Sequence, residues 1–244
     1  MPCYPKKQNN PSSPPLDKGR LGGVWDVIFP PRCLSCRRFG NWGWANCRSQ
    51  IALIATPICY KCARLSPQFK VCRNCRPSYG VGHLLVCGYW QNPLKQLVYG
   101  LKYYRARPLA QHLSGLLIKT VLPFADEIDL IVPVPLHRRK LWDRGFNQAE
   151  LLAREVSKEL HKPLVFPLSR RRFTRPQWGL GKRERQTNLA AAFTIKPALI
   201  PQIAGRNILL VDDIVTTGAT LNECSAALMK NGARAVWGLV LARA

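Results

Sequence analysis

Two adjacent carboxylates, Asp212 and Asp213, follow the apolar run Ile208-Leu209-Leu210-Val211. After Ile214-Val215 the chain reads Thr216-Thr217-Gly218-Ala219-Thr220. Two carboxylates at the end of a strand cannot both enter a core, so they face solvent or a ligand. As pure acceptors they suit hydroxyl donors such as those of a ribose. Backbone N–H groups at the start of the helix that follows, with the threonine hydroxyls, make a pocket for a phosphate dianion, and Gly218 lets the backbone come close to it. A plainer role for the same residues is a helix cap at Asp213 and a tight threonine turn. No Lys-Ser or Lys-Thr follows the glycine, which excludes a Walker loop.

The cysteines form a second group. Cys59-x-x-Cys62 and Cys72-x-x-Cys75, with nine residues between the pairs, have the spacing of two knuckles that wrap one structural zinc with four thiolates. Cys33-x-x-Cys36 is a third knuckle, but of its expected partner only Cys47 is present; Trp44 stands three residues before it. The first site therefore has Cys33, Cys36 and Cys47, with Cys3, water or nothing in the fourth place. Cys87 and Cys224 fall on apolar runs and read as buried thiols. Arg37, Arg38, Arg48, Lys61, Arg64, Lys70, Arg73 and Arg76 are threaded through the module with Phe39, Trp42, Trp44 and Tyr60. These rings serve either as stacking surfaces for bases or as the module's own core.

The elements that must position these groups follow from periodicity. His83–Trp90, Ile128–Val134, Ile208–Val211 and Ala235–Leu241 read as strands. Between them, Leu94/Leu97/Val98/Leu101, Leu109/Leu113/Leu116/Leu117, Ala149/Leu152/Ala153/Val156/Leu160 and Leu221/Cys224/Ser225/Leu228 fall at helical spacing, the last stopping at Asn231-Gly232. Alternation of this kind predicts an α/β fold, a mostly parallel sheet with helices on both faces. The expected organisation is a Pro- and Ser-rich disordered leader over 1–24, a zinc-ribbon module over 25–80 and the α/β domain over 81–244.

The 244 residues carry a formal net charge of +24, too large for solubility alone, which implies a polyanionic partner. The excess is local: residues 1–76 hold 13 Lys/Arg against 2 acids, and 137–186 hold 14 against 5. No uninterrupted apolar run of ~18 residues and no secretory signal pattern occur, so the expectation is a cytoplasmic protein without membrane insertion. Pro133-Val134-Pro135-Leu136-His137 follows a predicted strand, and such a turn lies on the face where open α/β sheets take ligands. His137, a lone histidine, reads as a surface or structural residue.

Val211–Thr220 resembles, position by position, the phosphoribosyl pyrophosphate (PRPP) signature of type I phosphoribosyltransferases. The Val-Pro-Val-Pro-Leu-His and Arg144-Gly145-Phe146-Asn147-Gln148 elements, the Pro176-Gln177, Gly179-Leu180, Arg185 and Asn188 series and the cysteine module together resemble the ComF family of competence proteins. The resemblance implies that Asp212 and Asp213 hold the ribose hydroxyls, that Thr216, Thr217, Gly218, Ala219 and Thr220 hold the 5-phosphate, and that Pro133, Val134 and Pro135 meet the pyrophosphate. It also implies that Arg185, assisted by Lys182 or Arg183, closes over the site as the catalytic cation. Mg²⁺ is expected with PRPP, since a hard cation prefers phosphate and water oxygens. The implied role is natural transformation, with single-stranded DNA and a competence helicase or other DNA-processing proteins as partners. Phosphoribosyl transfer in nucleotide metabolism and non-catalytic PRPP-regulated DNA binding are the alternatives.

Overall fold

The computed structural model describes residues 32–104, 106–170 and 192–244. The sequence positions Cys3, Lys182, Arg183 and Arg185 lie outside the described residues, as do the 1–24 leader and the Pro176–Asn188 series.

Four strands, β1 (His83–Tyr89), β2 (Leu130–Pro133), β5 (Asn207–Val215) and β6 (Ala235–Arg243), form one parallel sheet in the order β1-β6-β5-β2. In β6 every residue from Val236 to Ala242 is buried, so both faces of the sheet are covered, and the strand is a continuous apolar run instead of an alternating one. A small antiparallel pair, β3 (Leu168–Arg170) and β4 (Phe193–Ile195), stands apart from it.

Helices α2 (Leu94–Tyr103), α3 (Leu109–Val121) and α5 (Gln148–Leu160) fall where the periodicity places them. Their buried residues include the predicted Leu94, Leu97, Val98, Leu101, Leu109, Leu113, Leu117, Leu152, Ala153, Val156 and Leu160. Helices α3 and α5 pack on each other and on the strands, and α7 (Ala219–Lys230) lies along β5 and β6. Two short helices, α1 (Ala45–Arg48) and α6 (Ile200–Ile203), lie outside this framework. Helix α4 (Arg138–Arg144) is too basic to show an apolar period and is absent from the elements that periodicity places. His137 accepts from the Arg139 N–H at its start, and Gly145, at φ +74°, ends it in the left-handed conformation.

The cysteine module is joined to the α/β domain by a continuous core that includes Ile51, Ile54, Cys59, Tyr60, Phe69 and Val71. Its chain also covers the outer edge of β1: Ile54 N–H donates to the Cys87 carbonyl (2.9 Å) and Tyr89 N–H to the Ala52 carbonyl (3.1 Å), while Lys70 bridges His83. Residues 163–165 cover β2 in the same way. No helix among the described residues is long and apolar enough to cross a membrane.

Candidate functional site

The carboxyl ends of β2 and β5 lie side by side, with Pro133 opposite Val211. Over them opens a cavity of about 220 Å³. Asp212 and Asp213 form its floor, Val134, Pro135 and Leu136 one wall, and Thr216 and Thr220 another. Lys102, Lys140, Arg144 and Arg170 also line it. A shallower cavity continues from it along Ile214–Leu221. Four cations against two carboxylates give the cavity an excess of positive charge that favours an anion. Desolvation, then the neighbouring Arg144, Arg170 and Lys102, push the Lys140 ammonium below its ordinary value, against the weaker opposing pull of Asp213.

The two acids differ. Asp213 is buried, and its Oδ1 meets Lys102 Nζ at 3.0 Å, while its Oδ2 is buried with no hydrogen-bond partner. An acceptor kept dry and unsatisfied is a place for a hydroxyl or a hydrated cation. Asp212 accepts from the Asp213 N–H at 2.8 Å. Burial, followed by the Asp213 charge, raises its carboxyl to about 7, against the weaker pull of that N–H, Lys102 and Arg170.

The Arg-Gly-Phe-Asn-Gln element braces the site. Phe146 is buried under the Arg107 guanidinium, which lies 5.0 Å from its centroid. Asn147 caps α5 by accepting from Ala149 N–H (3.1 Å), and its Nδ2 donates to the Val134 carbonyl (3.0 Å), holding the Pro-rich wall in place. Gln148 accepts from Arg144 at 3.0 Å, fixing that guanidinium at the cavity. Lys102 escaped the sequence reading. It lies four residues beyond Val98 on the apolar stripe of α2, and a lysine at a core position was the available signal.

In the cysteine module the Sγ atoms of Cys59, Cys62, Cys72 and Cys75 lie within 4.8 Å of one another, with 3.4 Å between Cys62 and Cys72 and 3.5 Å between Cys72 and Cys59. A tetrahedral zinc with ~2.3 Å bonds needs sulfur separations of roughly 3.8 Å, so the four thiols fit it. Burial opposes ionisation of Cys59, yet the N–H groups of Cys62, Cys72 and Lys61 pull its thiol down to about 6, which suits a ligand. Cys33, Cys36 and Cys47 form a three-sulfur cluster. The two knuckles share a fold: Cys33 and Cys59 each accept from the N–H four residues on, and those residues, Arg37 and Ala63, have positive φ. Trp44 offers only a donor, so it cannot complete the first site.

The ribbon aromatics are mostly not presented to solvent. Tyr60 is 3% exposed and Trp42 packs on the core, leaving Phe39 out, with Arg32 over its ring. Other exposed rings are Tyr103, with the guanidinium of the cavity-lining Arg144 5.2 Å from its centroid, Tyr104, and Trp142 at 87% exposure.

Residues 146–243 match the phosphoribosyl transferase domain family, and residues 24–76 the double zinc ribbon domain. The chain is 36% identical over 222 residues to the DNA utilization protein YhgH of Escherichia coli (strain K12), covering 86% of this chain and 96% of that one. It is 33% identical over 233 residues to Competence protein F of Haemophilus influenzae, covering 88% and 99%, and 27% identical over 195 residues to Competence protein ComFC of Bacillus subtilis, covering 77% and 78%. With a phosphoribosyl transferase domain behind a double zinc ribbon and this likeness along nearly its whole length, the chain belongs to the ComF family of competence proteins.

Proposed function

We propose that the protein binds PRPP at the carboxyl ends of β2 and β5 and acts on incoming single-stranded DNA during natural transformation. The observation that carries the first part is the pairing of Asp212, Asp213 and the Thr216–Thr220 turn with a wall of four cations. Asp212 and Asp213 accept from the ribose 2′ and 3′ hydroxyls, Thr216–Thr220 receive the 5-phosphate, and Lys140, Arg144 and Arg170 offset the pyrophosphate charge beside Pro133–Pro135. Mg²⁺, arriving with the substrate, neutralises part of that charge. The competence and DNA utilization names of the relatives support the second part. Exposed Arg37, Arg38 and Arg73 of the ribbon contact phosphates, while Phe39, Tyr103, Tyr104 and Trp142 offer faces to bases.

Calorimetry with Mg·PRPP tests the site. Asp212→Asn and Asp213→Asn each weaken binding by ~1.5 to 3 kcal/mol, the worth of a charge-assisted hydrogen bond. Absence of binding to wild-type protein, or unchanged binding in both variants, refutes it. Pyrophosphate release on adding an acceptor distinguishes transfer from binding alone.

A further inference from the structure

Each zinc knuckle inserts the residue after its first cysteine against a glycine of the α/β domain. In the first, Leu34 lies over Gly100, where an added Cβ would collide with Leu34 Cδ1 and come within 3.3 Å of its Cγ. Gly100 is buried in α2, two residues before Lys102. A helix-interior glycine is less favourable than alanine, and the close approach of Leu34 explains its presence. In the second knuckle Tyr60 lies against Gly218, where a Cβ would stand 2.7 Å from both Cε2 and Cζ of the ring. Gly218 holds φ +76° as the residue on which α7 starts.

Tyr60 is also bonded to the first turn of that helix. Its Oη accepts from Asn222 Nδ2 at 3.2 Å, and Asn222 Oδ1 accepts from Val81 N–H at 3.2 Å. Asn222 N–H in turn donates to the Gly218 carbonyl at 2.9 Å. The turn from Gly218 to Asn222 is thus held on one side by a ring whose backbone lies between two zinc-ligating cysteines.

We propose that Tyr60 is a positioning residue for the phosphate-binding turn, so that a metal-filled second knuckle is part of what shapes the anion site. Leu34 does the same for the Lys102 end of α2. The inference rests on the reading of Thr216–Thr220 as a phosphate loop. Without metal, the Cys59–Cys62 knuckle loses its closure, the ring loses its anchor, and the N–H groups at the start of α7 are no longer held in one arrangement. Pre-organised donors bind an anion more tightly than donors that must be ordered on binding.

The test uses full-length, zinc-loaded protein. In Tyr60→Ala, zinc content stays the same, amide hydrogen exchange rises at Gly218–Asn222, and Mg·PRPP affinity falls about tenfold. Tyr60→Phe keeps the ring and loses only the Asn222 bond, giving a loss of about two- to threefold. Chelation of zinc raises exchange in the same amides, and Leu34→Ala raises it at Gly100–Tyr103 instead. If Tyr60→Ala loses zinc or unfolds, Tyr60→Phe and Tyr60→Leu decide by the same readouts. Unchanged exchange at Gly218–Asn222 in folded Tyr60→Ala or Tyr60→Leu protein overturns the proposal. Faster exchange in a protein whose wild type does not bind Mg·PRPP leaves the positioning role standing and refutes the phosphate-loop reading.

Discussion

Lys102 Nζ and Asp213 Oδ1 stand 3.0 Å apart with their side chains 12% and 5% exposed, a nearly dry ion pair joining α2 to the floor of the cavity. Removing one member strands the other charge, which typically costs about 3 to 5 kcal/mol. Lys102→Met and Asp213→Asn should each lower stability substantially in denaturant titrations. The double variant should cost less than the sum, because neither leaves an unpaired charge in the absence of the other. Additive effects would show that the pair is not coupled.

Asp212, with its carboxyl raised to about 7, gives the site a pH signature. The folded value lies above the unfolded one, so folding takes up a proton in that window. The contribution to stability is present below the unfolded value near 3.8 and is lost as pH rises through about 7. The ligand reverses the preference: if ribose hydroxyls need the ionised acceptor, binding Mg·PRPP at pH 6.5 releases a proton. Calorimetry in buffers of different ionisation heat should show that release, and Asp212→Asn should abolish it. Equal binding heats in all buffers would contradict the assignment.

Zinc analysis should find at least one equivalent, held by Cys59, Cys62, Cys72 and Cys75. Trp44→Cys should supply the fourth thiolate at the first site and raise zinc retention against a competing chelator. Cys59→Ser should lose the second-site metal and lower the melting temperature, since Cys59 is fully buried at the junction with the core. A Cys59→Ser protein of unchanged zinc content and melting would count against a structural metal there.

Binding to single-stranded DNA should weaken with salt at a slope of about 0.7 per contacted phosphate. Replacing Arg37, Arg38 and Arg73 by Ala should flatten the slope without changing sequence preference. Trp142→Ala or Tyr103→Ala should cost ~1 to 3 kcal/mol of affinity if the ring stacks on a base, and leave the slope unchanged. Thermal melting serves as the control. Salt-independent binding would overturn the phosphate contacts, and no binding at all would remove DNA as a direct ligand.

The strands and long helices were legible because both faces of the sheet are buried and the helix stripes are regular. Val211–Thr220 stood out because its acids and threonines interrupt that pattern at one point. Helix α4 was not legible, since a seven-residue basic segment has no apolar period and is held by His137 and Gly145 at its ends. Lys102 was hidden for a different reason: its role depends on α2 crossing to the end of β5, a tertiary fact that local spacing does not encode. For Tyr60 the sequence leaves two roles open, a stacking surface or part of the module's core, and the docking of the module onto Gly218 shows the ring turned inward.

The backbone bonds from Ala52 and Ile54 to β1 bear on how the protein can be cut. They close a strand edge that would otherwise present unpaired N–H and C=O groups to any passing chain. A polypeptide begun at residue 81 would keep all four strands of the sheet yet lose the cover over β1 and the apolar lid of Ile51, Ile54 and Phe69. Proteolysis between the two sequence families should therefore yield sticky, self-associating fragments instead of a free-standing transferase. The boundary visible in the sequence coincides with no break in the buried core.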